Sequence, residues 1–245
     1  MNSREVELVA VMLEDARDLE SPAAALLEPR ERLEFEQSSN SAVRGRRIVA
    51  RAITRILLCR RLGVPPNEIR FEHGRHGKPY LGPHQRAQFN ISHSGDLLLF
   101  AFAFETEIGV DVERLRARPR ALQLAQHYFS REEADGIRLA SSPDRAFLTL
   151  WTRKEAYLKA VGCGLTGDLK SVQISWPHDS DCPSWIEGDD PFCWSVHTFQ
   201  PLPGYVASIA FRNRSLHLTP CAILHARSLL SSADDAAAHL SAVSA

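Results

Sequence analysis

The hydrophobic pattern changes period several times along the 245 residues. "VELVAVML" (6–13) is a β-forming run and predicts an opening strand. In "SAVRGRRIVARAITRILLCRRLG" (41–63), Val49, Ile53, Ile56 and Leu57 recur at helical spacing, and Gly63 with Pro65 and Pro66 ends the helix. A turn-rich stretch, "EHGRHGKPYLGP" (72–83), follows. "QFNIS" and "LLLFAFAF" predict two strands joined by the tight "HSGD" turn, and a second turn near Glu107 leads into a strand at "IGVDVERL". Beyond Arg118 the period becomes helical. "ALQLAQHYF" precedes "SREEADGIRLA", in which Ser130 and Glu133 have capping-box spacing. "SPDRAFLTLWTRKEAYLKAVG" starts with Ser142 as N-cap, Pro143 in the first turn and Asp144 beside it, and stops at Gly162. Its apolar stripe is Phe147, Leu150, Trp151, Leu158 and Val161. Later strands are predicted at 170–176, 193–199, 204–211 and 216–224.

This order of elements predicts an α+β chain. The break in apolar pattern at "RLRARPR" divides it into an N-terminal half, 1–115, and a C-terminal half, 116–225, with no repeat visible by eye. The last residues, 226–245, have little apolar bulk and are expected to be a frayed or disordered tail. The composition, 44% hydrophobic and 24% charged, is that of a globular protein with enough chain to bury a core. A net charge of -1 gives no global attraction to nucleic acid or to a membrane surface, so any affinity for anions is local. Five cysteines (59, 163, 182, 193 and 221) make an odd number without C-x-x-C spacing, which predicts reduced thiols in the cytoplasm. The first residues lack the basic segment of a signal peptide, and no run approaches the roughly 18 apolar residues of a membrane span.

Candidate chemistry gathers in a few stretches. In "IGVDVERL" the valines at 110 and 112 alternate with Asp111 and Glu113, so a strand would bury the valines and present both carboxylates on its other face. Such a pair is either a solvated strand face or a seat for a hard cation such as Mg²⁺, shared with substrate phosphates. Glu155 and Lys159 lie one helical turn apart, beside the apolar stripe of their helix, where it borders a cleft. An ordinary ion pair there would contribute only a few tenths of a kcal/mol. Arg44, Arg47, Arg51 and Arg55 make one face of the first long helix cationic, which costs stability unless an anion lies across it. Lys78 sits in a Gly-Pro turn, and Ser92 and His93 close an apolar strand.

"GKPY" at 77, "FNISHSG" at 89, "GVDVE" at 109 and "WTRKEAYLK" at 151 resemble, in order and spacing, the motifs of Sfp-type 4′-phosphopantetheinyl transferases. "ARAITRILLCRRLG", "HYFSREE" and "GYVASIA" look like supporting stretches of that family, and the resemblance runs over about residues 30 to 211. It implies an α+β fold of two similar halves forming a pseudo-dimer, and therefore a monomer. It implies transfer of the phosphopantetheine arm of coenzyme A to a serine of an apo acyl or peptidyl carrier protein, with release of 3′,5′-ADP. Asp111, Glu113 and Glu155 would then be Mg²⁺ ligands. Glu155 and Lys159 would be catalytic, one accepting the serine proton and the other stabilising the leaving group. Arg46 (or Arg47, one residue on), Arg51, Lys78, Ser92, His93 and Lys159 would hold the phosphates of coenzyme A. Some members of the family have further basic residues upstream; here that region is the acid-rich "EPRERLEFEQSSN", with only Arg30 and Arg32 as candidates, which leaves the 3′-phosphate contact unassigned.

Two other readings use the same residues. One is a different Mg²⁺-dependent enzyme that cleaves a pyrophosphate of coenzyme A or a nucleotide. The other is a non-catalytic binder of coenzyme A or a carrier protein, which the intact set of acids and lysines disfavours. A zinc hydrolase or Cys-His enzyme is weaker still. No histidine pair has helical ligand spacing, and Cys163 follows a helix instead of opening one.

Overall fold

The computed structural model describes residues 4–13, 16–37, 40–65, 68–82, 84, 86–117, 120–163, 169–174, 186–187, 194–213 and 215–232. One series of elements occurs twice along them. The first copy is a strand, β1 (Glu5–Met12), and three helices, α1 (Ala16–Ala25), α2 (Pro29–Glu36) and α3 (Ser41–Leu62). A small antiparallel pair follows, β2 (Phe71–His73) with β3 (Pro79–Leu81), then a hairpin of β4 (Ala87–Ser94) and β5 (Leu97–Phe104). The second copy repeats this with β6 (Ile108–Arg114), α4 (Ala121–Tyr128), α5 (Arg131–Leu139), α6 (Pro143–Val161), the pair β7 (Gln173–Ile174) and β8 (Ile186–Glu187), and the hairpin β9 (Trp194–Phe199) and β10 (Tyr205–Arg212). In each copy the opening strand pairs antiparallel with the last hairpin strand, giving the orders β1-β5-β4 and β6-β10-β9. The α+β fold of two similar halves is thus visible as topology. The repeat divides the chain at 105–107, earlier than the 115/116 division expected from composition.

The two sheets lie face to face between helices. β1 and β5 are buried on both sides, which explains the uninterrupted apolar run "LLLFAFAF". Leu98, Phe100 and Phe102 point to α3, where Val49, Ile53, Ile56 and Leu57 meet them as the helical spacing predicts. Leu97, Leu99, Ala101 and Ala103 point the other way, onto Ile108, Val110, Val112, Ala207 and Ile209 of the second sheet. α6 covers the far side of that sheet. Its C-terminus is closed by Gly162 at φ 79, a conformation natural to glycine. Val161, assigned to the buried stripe, is instead 41% exposed.

Three expectations need correction. α1 and α2 had no clear sequence signal; α1 carries Pro22 within it, and α2 buries only Phe35. The strand predicted at 216–224 is two short pieces, β11 (His217–Leu218) and β12 (Ala222–His225), both parallel to β1. They belong to the first sheet, not to the second half. The first residues of the expected tail are ordered. Residues 226–232 are helical, and Ala226, Leu229 and Leu230 are buried in the core under α3. Residues 233–245, part of the 170–176 strand, and Cys182 and Cys193 lie outside the described residues.

Candidate active site

β6 has the alternation read from its sequence. Val110 and Val112 enter the core between the sheets, while Gly109, Asp111 and Glu113 take the opposite parity, the side on which α6 packs. Gly109 is what lets α6 approach: a Cβ there would overlap Ala156 O and Ala160 N of the helix. With the backbones this close, Glu155 and Lys159 reach β6 from one face of α6. Lys159 Nζ donates to Asp111 Oδ1 at 2.6 Å, to Ser92 Oγ at 3.0 Å and to Val110 O at 3.2 Å.

The outer edge of β6 is satisfied by side chains instead of a neighbouring strand. Val110, Val112 and Arg114 N–H donate to Asn90 Oδ1, Ser92 Oγ and Ser94 Oγ of β4. Ile108 O accepts from Lys78 Nζ at 3.0 Å, and Val110 O accepts from Lys159. Buried backbone groups demand partners, and here polar residues of β4 and two lysines supply them. Lys78 also donates to Ala160 O at 2.9 Å, in the last turn of α6, where a cation is favoured. Burial, partly opposed by Glu107, lowers its pKa to about 8.

Three carboxylates meet in this seam. Asp111 is 6% and Glu155 4% exposed. Burial pushes the Glu155 pKa up to about 7; Asp111 and Glu113 add to the rise, and Lys159 opposes it. Two buried oxygens, Asp111 Oδ2 and Glu155 Oε1, have no hydrogen-bond partner. Among the described residues no three His, Cys, Asp or Glu side chains enclose a metal position as they stand. Lys159 and Ser92 hold one oxygen of Asp111, and Ser94 holds Glu113 Oε2 at 3.0 Å. The donor chemistry nevertheless fits a hard divalent cation: oxygen ligands only, with two of them buried and unpaired.

The 4′-phosphopantetheinyl transferase superfamily profile matches residues 107–210, and the profile for the N-terminal part of a 4′-phosphopantetheinyl transferase matches 17–105. Their junction falls at the turn between the two topological copies. The chain belongs to the 4′-phosphopantetheinyl transferase superfamily. It is 36% identical over 152 residues to slr0495 of Synechocystis sp., provisionally named a 4′-phosphopantetheinyl transferase, covering 60% of this chain and 62% of that protein. It is 37% identical to the transferase HetI of Nostoc sp., over 54% of this chain and 57% of HetI. With Sfp of Bacillus subtilis it shares 29% identity, over 67% of this chain and 72% of Sfp. The match spans less than two thirds of the length of the first two relatives.

The remaining residues read from the transferase motifs are dispersed. Ser92 stands inside the carboxylate cluster, but His93 is exposed and has the parity of Phe89 and Ile91, on the α3 side of β4. Arg46 ties α3 to the β4–β5 turn through Gly95 O and Asp96. The cationic face of α3 does have anions across it, and they are the protein's own. Arg44 meets Glu20, Arg47 meets Glu34, and Arg51 and Arg55 share Glu31. Arg51 also lies 4.4 Å from the centre of the Phe71 ring, and burial lowers its pKa. A polar cavity of about 570 Å³ opens beside it, lined by Glu31, Arg51, Arg70 and Phe71 among others. None of the cluster carboxylates lines that cavity, so the chemistry of the cluster, not cavity size, marks the site.

Sequence reading missed several positions. Lys154, next to Glu155, is fully buried; it donates to Glu133 Oε2 at 2.6 Å and to Leu169 O at 2.8 Å, and lies 4.9 Å from the Phe129 ring. The same Glu133 accepts from Ser130 N–H in the predicted capping box, so one carboxylate both caps α5 and anchors it to α6. Trp151 packs between Tyr128, Phe129 and Phe147, half-buried. Asn90 and Ser94 went unassigned, although their period of two with Ser92 in an apolar strand was a visible signal.

Proposed function

We propose that this protein transfers the 4′-phosphopantetheine arm of coenzyme A to a serine hydroxyl of an apo acyl or peptidyl carrier protein and releases 3′,5′-ADP. The observation that carries the reading is the pair of buried, unpartnered oxygens on Asp111 and Glu155, set against the Lys159 ammonium at the family's motif positions. Asp111, Glu113 and Glu155 would hold Mg²⁺, which when bound neutralises pyrophosphate charge. Glu155 would also take the proton of the incoming serine; its pKa of about 7 is that of the metal-free carboxyl. The serine oxygen forms a bond to the β-phosphorus of coenzyme A, and the bond from that phosphorus to the bridging oxygen breaks. Lys159 then compensates or protonates the departing 3′,5′-ADP oxygen, exchanging Asp111 for phosphate as its partner. Lys78 and Ser92 flank the same seam and would contact phosphate. Arg46 and Arg51 on α3, and His93 on the α3 side of β4, would meet the rest of coenzyme A.

One chain supplies the cluster from both copies of the repeat, which supports a monomer. No helix among the described residues is long and apolar enough to cross a membrane, and Cys59, Cys163 and Cys221 are free thiols, which suits the cytoplasm. The test is intact-mass measurement of apo carrier proteins incubated with this protein, coenzyme A and Mg²⁺, with an EDTA control. A metal-dependent gain of one phosphopantetheine arm is expected. Coenzyme A consumed without carrier modification would instead mean pyrophosphate cleavage. Coenzyme A bound but unchanged would mean a binder.

A further inference from the structure

β4 does more than close the edge of β6. Asn90, Ser92 and Ser94 lie two residues apart on one face and accept successive alternate N–H groups of β6, from Val110, Val112 and Arg114, at 2.9, 3.3 and 3.0 Å. The two serines each have a hydroxyl hydrogen left to donate. Ser92 gives it to Asp111 Oδ1 at 2.8 Å, and Ser94 gives it to Glu113 Oε2 at 3.0 Å. Asn90 stands at the step of Gly109, where no side chain needs holding. A serine therefore occurs at each step where β6 carries a carboxylate. An amide occurs where it carries none. Closing the edge alone would need only an acceptor at every step, so the hydroxyl donors have a second purpose.

We propose that Ser94 is a positioning residue for the cation site, fixing Glu113 through its hydroxyl. This rests on reading Asp111, Glu113 and Glu155 as cation ligands. Ser92 plays the matching part for Asp111 but also meets Lys159, so Ser94 is the position at which the effect can be isolated. Groups that orient a metal ligand typically change affinity 10- to 100-fold when removed.

The experiment titrates Mn²⁺ into the full-length protein saturated with coenzyme A and follows the free ion by electron paramagnetic resonance. Melting temperature without metal is measured in parallel. Ser94→Ala should weaken Mn²⁺ binding about tenfold, and Ser94→Thr, which keeps the hydroxyl, should restore it. A melting temperature lowered in Ser94→Ala with Mn²⁺ affinity unchanged would overturn the proposal, because the hydroxyl would then serve the β6 edge alone. If Ser94→Ala does not yield folded protein, Ser94→Cys, a weaker donor of similar size, reads the same quantity. Glu155→Gln separates the two levels of inference. If it loses Mn²⁺ while Ser94→Ala does not, only the role of Ser94 fails. If the unaltered protein binds no Mn²⁺, or Glu155→Gln binds it as tightly, the cation reading fails and the proposal with it.

Discussion

At Glu155, burial and two neighbouring acids act in one direction and Lys159 in the other. The outcome is a carboxyl that keeps its proton up to about pH 7 instead of the ordinary 4.5. This has a stability consequence with a definite sign. Between those two values the folded chain binds more protons than the unfolded one, so metal-free stability falls as pH rises from about 4.5 through 7. The full effect is on the order of 3 kcal/mol. Urea unfolding in EDTA should show this fall in the unaltered protein and not in Glu155→Gln. The same substitution, and Lys159→Ala, should each lower carrier modification at least 10²-fold while far-ultraviolet circular dichroism is retained; near-normal rates in either would refute its catalytic role. The acids and Lys159 were legible in the sequence because period two on a strand and a four-residue step on a helix each give one face. The ion pairs of Arg51 and Lys154 were not, because their partners, Glu31 and Glu133, lie on other helices and no local spacing announces them.

Among the elements, the contact of α6 with β6 decides whether the cluster exists. Gly109 sets that distance. Gly109→Ala would force the helix away from the strand, since the new Cβ meets helix backbone and not a flexible side-chain end. A loss of about 3 kcal/mol or more is expected in denaturant unfolding. Activity should fall even under conditions where the variant is folded, because Glu155 and Lys159 retreat from Asp111. An alanine variant of unchanged stability and rate would show that the seam is looser than described. α3, α6 and the β4–β5 hairpin were readable because each carries a strong period and a clear stop. α2 was not, because a helix with one buried residue, Phe35, leaves no stripe, and its polar links to α3, from Glu31 and Glu34 to Arg55 and Arg47, have no local spacing.

For the whole molecule, duplication of the topology is the main architectural fact; no repeat of residues announces it, and only the family resemblance led to the expectation of two similar halves. β1 reads "EVELVAVM" and β6 reads "IGVDVER", although both begin a copy and pair with the last strand of its hairpin. One is a core strand covered on both faces, and the other lines the carboxylate seam, so equivalent places carry different residues. The closing segment breaks the symmetry. Leu230, 2% exposed, belongs to the core beneath α3 although it lies over a hundred residues beyond that half. Leu230→Ala should cost about 2–5 kcal/mol and lower the unfolding midpoint of the molecule as a single transition.

β12 and the helical residues after it also set the order in which the protein can be made. β1 leaves the ribosome before every other strand among the described residues, yet one of its edges waits for residues 217–225 and the core on its helix-facing side waits for Leu229 and Leu230. During synthesis that edge stays open while the entire second copy is translated, at about 5–20 residues per second. An unpaired strand edge is a template for pairing with other chains. Newly made molecules thus pass through about 10–40 seconds in which the earliest of these strands is the least protected one, and a chain halted before residue 217 would keep that edge uncovered.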